Sequence, residues 1–152
     1  MSLAEWTQTI AAAIAILGAL LSGTIYLVHS REGSIQETRK ILATTWTNEG
    51  DISSKEYNFI DLSLELKDGD LYGTLTSPQK DGPYDVNVDV GWFSSRATIS
   101  ELYGRRVVTV ATVRLKIKGN NNRLAWTVVS GSPPSIIPRN TTLWLSPMRD
   151  AQ

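Results

Sequence analysis

Arginine and aromatic side chains are the residues of this chain whose chemistry points to a ligand, and that ligand would be anionic and contain rings. Aromatic faces stack on nucleic-acid bases at about 1–3 kcal/mol per base, and arginine guanidinium groups pair with phosphates through two parallel hydrogen bonds. A solvated position at the end of a loop is the alternative interpretation for any single arginine. The candidate ligand-binding residues are Trp46, Tyr84, Tyr103, Arg105, Arg106 and Arg139.

Side chains suited to catalysis are scarce. The chain has no cysteine, and His29 is its single histidine. Nucleophile–histidine pairs, thiolate metal sites and multi-histidine metal sites need residues that this chain lacks. It also contains no glycine-rich phosphate loop of the Walker or dinucleotide type. The sequence therefore predicts a protein that is not an enzyme and that has no metal site and no cofactor.

Charge is unevenly distributed along the chain, although the formal net charge is zero. Residues 41–95 hold three lysines against ten acidic residues, a net charge of −7. Residues 96–152 hold nine basic residues against two acidic ones, a net charge of +7. Two interpretations are open. Mixed charge serves solubility, or the basic part forms a surface for an anion or for the acidic face of another copy.

The elements that position these residues are predicted to be short antiparallel strands. Apolar and polar residues alternate along 59–67 and 84–90, which is typical of half-buried strands. Closing eight strands into an up-and-down β-barrel over residues 42–152 leaves no exposed edge, and a β-sandwich is the alternative. The predicted strands are 42–48, 59–67, 71–76, 84–90, 96–102, 107–118, 124–130 and 141–146.

An up-and-down order also predicts which loops gather at each end of the barrel. Trp46 is expected to point inward near the end that holds the candidate ligand residues. Trp92 and Trp126 share the alternation of Val90 and Val128, so both are expected in the core. The loops predicted at the ligand end are 49–57, 77–83, 103–105 and 131–140, and those predicted at the other end are 68–70, 94–96 and 119–123.

An apolar run precedes the strands. Residues 6–28 carry no charged side chain, and at about 1.5 Å per residue Ile10–Val28 would span roughly 30 Å, the thickness of a bilayer core. We therefore predict one N-terminal transmembrane helix within residues 1–30, followed by a linker or short helix at 31–41, with continuation of the same helix past Gly33 as the alternative. A cleaved signal peptide and a buried helix are the alternatives, but the leader carries no Lys or Arg and the run is apolar on every side.

The flanks and faces of this run predict its orientation and its packing. Basic residues follow the run and none precedes it, and Lys and Arg mark the cytoplasmic side. We therefore expect a single-pass protein of the inner membrane, with its N-terminus outside and its barrel in the cytoplasm. Small residues on one helix face let helices approach closely in lipid. The predicted packing residues are Ala11, Ala15, Gly18, Ala19, Ser22 and Gly23.

Three segments resemble avidin- and lipocalin-type eight-stranded barrels: Ala43–Asn48 with its tryptophan, the hairpin at Gly69–Leu75, and Thr142–Leu145. A membrane helix followed by a minimal β-barrel also resembles the transmembrane β-barrel effectors of CBASS antiphage defence. That resemblance implies a cytoplasmic barrel that binds a cyclic oligonucleotide and membrane helices that oligomerise and disrupt the inner membrane.

The resemblance also implies the partners of the chain. They are a cyclic di- or trinucleotide, the lipid bilayer and further copies of the same chain, and no DNA or RNA polymer is expected. The alternative function is a membrane-tethered, lipocalin-like carrier or a barrel that binds another protein. A hollow apolar interior would favour the carrier.

Overall fold

The computed structural model describes the backbone of residues 3–49, 59–78, 81–120, 122–131 and 142–148. Side chains within these ranges are described as well, apart from residues 3–15, 18, 20, 21 and 29 of the helix. The chain divides into two compact units, residues 1–36 and residues 37–152. The second unit contains all of the strands.

One continuous helix, α1, runs from Leu3 to Leu42. The helix passes through Gly33, so the segment predicted as a linker or short helix at 31–41 is the continuation of α1. Of the predicted packing residues, Ala19, Ser22 and Gly23 are exposed, and the side chains of Ala11, Ala15 and Gly18 lie outside the described residues. A search of the described residues found no helix long and apolar enough to cross a membrane.

Eight antiparallel strands in sequence order form a closed barrel. This confirms the predicted architecture, and the β-sandwich alternative is wrong. Closure is made by β1 against β8, where Trp46 is opposite Pro147 and Thr47 is opposite Ser146. The strands are β1 (Thr45–Thr47), β2 (Asp61–Lys67), β3 (Asp70–Thr76), β4 (Tyr84–Asp89), β5 (Ser95–Tyr103), β6 (Arg106–Lys118), β7 (Arg123–Gly131) and β8 (Thr142–Pro147).

Two tight turns have the backbone geometry that their residues favour. Between β2 and β3, Asp68 and Gly69 have φ angles of 54° and 88°. Between β6 and β7, Gly119 and Asn120 have φ angles of 57° and 49°. Positive φ at two successive residues matches the right-handed twist of the flanking strands, and Gly, Asn and Asp tolerate it best. The sequence predicts both hairpins for this reason.

The barrel interior is filled by apolar side chains that alternate along the strands. Trp46 and Trp126 are both fully buried, as the strand alternation predicts. The prediction that Trp92 is a core residue is wrong, since 49% of its surface is exposed. Because β4 ends at Asp89, the alternation that places Val90 inward does not extend through the following turn to Trp92.

The last turn of α1 is joined to the first strand by hydrogen bonds from one backbone N–H and one side chain. The Leu42 carbonyl accepts from the Thr44 N–H at 2.8 Å and from the Trp46 indole Nε1–H at 3.1 Å. The Thr44 carbonyl in turn accepts from the Leu64 N–H at 3.1 Å. These bonds satisfy a carbonyl that the end of a helix leaves unpaired. Residues 37–42 therefore belong with the barrel.

The topology assigns the loops to the two ends as predicted. We call the end at which residues 37–42 join β1 the helix end, and it also holds the turns at 68–69, 90–94 and 119–122. The opposite end, here called the distal end, holds the turn at 104–105 and the described residues 77–78 and 81–83. The predicted distal loops at 49–57 and 131–140 lie almost entirely outside the described residues.

Candidate anion-binding site

A groove with a volume of about 520 Å³ lies on the outer surface of the barrel, at the helix end. It is formed by the end of β4, the turn at 90–94 and the facing parts of β5 and β6. We call it the basic groove because three of its side chains are cations and one is a carboxylate. Its lining residues are Asp89, Gly91, Phe93, Ser94, Ser95, Arg96, Arg114 and Lys116.

The register of three strands brings the charged groups of the basic groove together. Arg96 on β5 is directly opposite Arg114 on β6, and Asp89 on β4 is directly opposite Arg96. Lys116 lies two residues after Arg114, so both project from the same outer face. Side chains that are directly opposite have Cβ atoms about 4.5–5.5 Å apart, and like charges at that separation are destabilising. An anion between the two arginines would relieve this repulsion.

Two aromatic side chains stand beside these cations in the turn after β4. Phe93 has 82% of its surface exposed, and its ring centroid lies 5.3 Å from that of Trp92, with 35° between the ring planes. Gly91 keeps this turn tight, because a Cβ atom at this position would lie 2.6 Å from the Ser94 carbonyl oxygen. The turn therefore presents Phe93 at the rim of the basic groove.

A smaller cavity of about 180 Å³ shares part of this turn with the basic groove. It is lined in addition by Thr38 from the last turn of α1 and by Leu115 and Ile117 of β6. Gly91, Phe93, Ser94 and Ser95 of this turn line both cavities, and Trp92 lines the smaller one. The turn that presents Phe93 thus lies over a partly apolar space at the helix end of the barrel.

The residues of the basic groove can bind a phosphate ester that carries a planar ring. An arginine guanidinium group can donate two parallel hydrogen bonds to a phosphate, and lysine adds a compact positive charge. The exposed ring of Phe93 offers a face for stacking. The volume of the groove falls within the range of about 300–1,000 Å³ that is usual for small-molecule sites.

The structure does not gather the ligand residues predicted from the sequence into one described cavity. Trp46 and Tyr84 are buried in the barrel, with Trp46 bonded to the end of α1. Tyr103, Arg105 and Arg106 are exposed around the β5–β6 turn at the distal end. Arg139 lies outside the described residues. That these six residues bind a ligand stays a prediction.

Sequence reasoning did not select the residues of the basic groove as a site. The signal in the sequence was the alternation of Arg114 and Lys116 with buried residues along β6. That alternation places both side chains on the outer face, but only the strand register brings Arg96 beside Arg114. Phe93 follows the end of β4, where the alternation of the strand no longer predicts whether a side chain points inward or outward.

A second cavity, of about 380 Å³, lies at the distal end and has an acidic and apolar lining. Glu49, Asp61 and Phe59 contribute to it. Beside it, the buried Asn48 accepts a hydrogen bond from the Ile60 N–H through its Oδ1 atom at 2.8 Å, which joins β1 to the start of β2. Among the described residues, no group of three or more His, Cys, Asp or Glu side chains is placed to hold a metal ion.

The outer face of β3 carries a tyrosine whose ionisation is changed by its neighbours. The Tyr72 hydroxyl donates a hydrogen bond to Asp70 Oδ2 at 3.2 Å. The negative charge of Asp70 raises the pKa of Tyr72 above its ordinary value, and this hydrogen bond and the charge of Asp68 add to the effect. This part of the barrel therefore presents negative charge, in contrast to the basic groove.

No protein-family model matches this chain, and neither a curated protein nor a solved structure matches it significantly.

Proposed function

We propose that this protein is a membrane-anchored receptor whose barrel binds a cyclic oligonucleotide in the basic groove. In this proposal, ligand binding favours an assembly in which the α1 helices associate and disrupt the inner membrane. The observation that carries the ligand part is the convergence of Arg96, Arg114 and Lys116 with the exposed ring of Phe93. No catalytic step is required, because a ligand that binds the assembled state more tightly shifts the population toward it.

A cyclic oligonucleotide supplies the two chemical groups that the basic groove is suited to bind. Its phosphodiesters are anions that would lie against the opposed guanidinium groups of Arg96 and Arg114. Its bases are planar rings that would stack on Phe93. A cyclic di- or trinucleotide has both groups within one small molecule, so a DNA or RNA polymer is not needed to satisfy the site.

The membrane part of the proposal is supported by the sequence. Residues 6–28 carry no charged side chain, and their backbone belongs to the continuous helix α1. Bases follow the apolar run and none precedes it, which favours an N-terminus outside and a cytoplasmic barrel. The small residues of the run would form the surface on which membrane helices meet.

The lipocalin-like carrier receives less support from the described barrel. A carrier needs space between its inward-facing side chains, and Trp46, Leu62 and Trp126 have no accessible surface. A side chain without accessible surface borders no space large enough for a water molecule. The interior is therefore occupied by the side chains themselves, and the receptor is the better interpretation.

Calorimetric titration of the full chain in detergent micelles tests the ligand part. A panel of cyclic dinucleotides and cyclic trinucleotides should include one that releases heat. Arg114→Ala should then weaken its binding roughly tenfold or more, because hydrogen bonds to charged groups contribute about 1.5–3 kcal/mol. The matched control is Arg105→Ala, which removes an exposed arginine at the distal end and should change binding less than about twofold.

Two outcomes would contradict the proposed site. No heat with any cyclic nucleotide would remove the ligand part of the proposal. Loss of binding in Arg105→Ala, with Arg114→Ala unchanged, would move the site to the distal residues predicted from the sequence. A Phe93→Ala variant separates stacking from charge, and it should weaken binding without changing the dependence on salt.

A further inference from the structure

The outer surface of β2, β3 and β4 is acidic. Outward positions on these strands alternate with buried ones, and five of them carry carboxylates. Lys67, at the end of β2, is the only cation in these three strands. We call this surface the acidic face. Its carboxylates are Asp61, Glu65, Asp70, Asp85 and Asp89.

The outer surface of β5, β6 and β7 is basic. In the half nearer the helix end its outward positions carry five cations, whereas Arg106, at the distal start of β6, lies outside this group. Glu101, half-buried toward the distal end, is the only acidic residue in these strands. Two like-charged pairs are directly opposite each other, Arg96 with Arg114 and Lys118 with Arg123. We call this surface the basic face. Its cations are Arg96, Arg114, Lys116, Lys118 and Arg123.

Within one barrel these two faces meet only at the β4–β5 boundary, where Asp89 is directly opposite Arg96. The centres of the acidic and basic faces, β3 and β6, are three strands apart in a closed ring of eight, which is roughly 135° around the barrel. The basic face also opposes like charges within itself, which costs stability unless an oppositely charged surface lies against it. A surface of complementary charge is present on a second copy of the same chain, as its other face.

We propose that copies of this chain associate side by side and head to tail, with the acidic face of one barrel against the basic face of the next. Such an interface uses two different surfaces, so it extends into a ring or a filament rather than ending at a dimer. Both faces lie on the sides of the barrel. Neighbours with parallel barrel axes would therefore keep every helix end on the same side, as attachment to one membrane requires.

This association does not depend on the proposed ligand, because the two faces carry opposite charge without it. The raised pKa of Tyr72 is in accord with the negative potential of the acidic face. The zero net charge of the chain also means that copies do not repel each other at long range. The free energy of contact would come from charge complementarity, so salt should weaken it.

Two charge-reversal variants of the full chain test the proposal. In the first, Glu65→Lys and Asp85→Lys reverse part of the acidic face. In the second, Lys118→Glu and Arg123→Glu reverse part of the basic face. None of these four residues lines the basic groove, so ligand heat should be unchanged in both variants. The second change also replaces one like-charged pair with another, so the repulsion within that pair stays similar.

Sedimentation velocity in an uncharged detergent gives the readout. The wild-type chain should form large species at about 50 mM salt and dissociate at about 500 mM, where screening is strong. Each variant alone should lose the large species, because its reversed face meets a partner face of the same sign. An equal mixture of the two variants should regain them, because the two reversed faces then meet with opposite charges, and the two unchanged faces do the same.

The control variant carries Arg105→Glu and Arg106→Glu at the distal end, outside both faces, and should associate like the wild type. Circular dichroism shows that each variant keeps its strands. A wild-type chain that stays monomeric at low salt, or large species that salt does not dissolve, would overturn the proposal. A mixture of the two variants that fails to regain the large species would overturn it as well. These results leave the ligand titration unaffected, so the two proposals fail separately.

Discussion

The two buried tryptophans provide a matched test of how the core is held together. Trp46 and Trp126 are both fully buried, and both point into the barrel. The indole N–H of Trp46 donates to the Leu42 carbonyl at 3.1 Å, whereas the indole N–H of Trp126 has no hydrogen-bond partner among the described residues. Replacing each tryptophan with phenylalanine removes similar volume but changes the hydrogen bonding in opposite directions.

The expected difference in the free energy of unfolding between the two variants follows from these contacts. Trp46→Phe loses one buried hydrogen bond, which costs about 1 kcal/mol, since the Leu42 carbonyl still accepts from the Thr44 N–H. Trp126→Phe removes a buried donor that is unpaired, and an unpaired donor costs about 1–3 kcal/mol. The cavity left by the smaller ring is similar in the two variants and largely cancels. Trp46→Phe should therefore be less stable than Trp126→Phe by about 2 kcal/mol or more.

Urea unfolding of the full chain in a mild detergent, followed by circular dichroism of the strands, measures this difference. Trp46→Phe should show the lower midpoint at an unchanged slope, because the surface exposed on unfolding is nearly the same in both variants. Equal midpoints would mean that the hydrogen bond to α1 contributes no stability. A lower midpoint for Trp126→Phe would show that its indole N–H is bonded in solution, and it would refute the reasoning.

Three further predictions concern single features of the chain. Gly73→Ala should destabilise the barrel in urea unfolding, because a Cβ atom at this position would collide with the Ser63 carbonyl. Gly33→Ala is its control, since a Cβ atom there meets nothing within 4 Å, and it should be neutral or stabilising. Asp70→Asn should lower the pKa of Tyr72 toward its ordinary value, as ultraviolet absorption would show, and an unchanged pKa would contradict the role of the Asp70 charge. Leucine at three small positions of α1 should abolish toxicity in cells while leaving ligand heat intact, and unchanged toxicity would remove the packing argument. These positions are Ala15, Ala19 and Gly23.

The basic groove and the basic face share Arg96, Arg114 and Lys116. A ligand in the groove would therefore change the charge that a neighbouring acidic face meets. The reversal variants avoid this overlap because Lys118 and Arg123 lie outside the groove. Measuring self-association first without ligand and then with it would show how the two proposed contacts influence each other.

The sequence by itself determined where the strands lie and favoured their closure into a barrel, whereas their order was an assumption that the structure confirms. Alternation along 84–89 predicts a half-buried strand, and the structure shows the same alternation of buried and exposed residues. The Asp68-Gly69 pair predicts a tight hairpin because both residues tolerate positive φ. These signals are local, since each depends on residues a few positions apart, and so they can be read without knowing the rest of the fold.

Only the tertiary structure decided which side chains meet. Arg96 and Arg114 are opposite each other because of the β5–β6 register, which shifts at a bulge between Ile99 and Ser100. A slip of one residue would carry either side chain to the other face, and the alternation within each strand does not reveal the bulge that shifts this register. Trp92 is a second residue whose position the local pattern did not predict, because its exposure depends on where β4 ends and the turn begins. The charges could be counted from the sequence, but their grouping into a groove and two faces follows from the closure and register of the barrel.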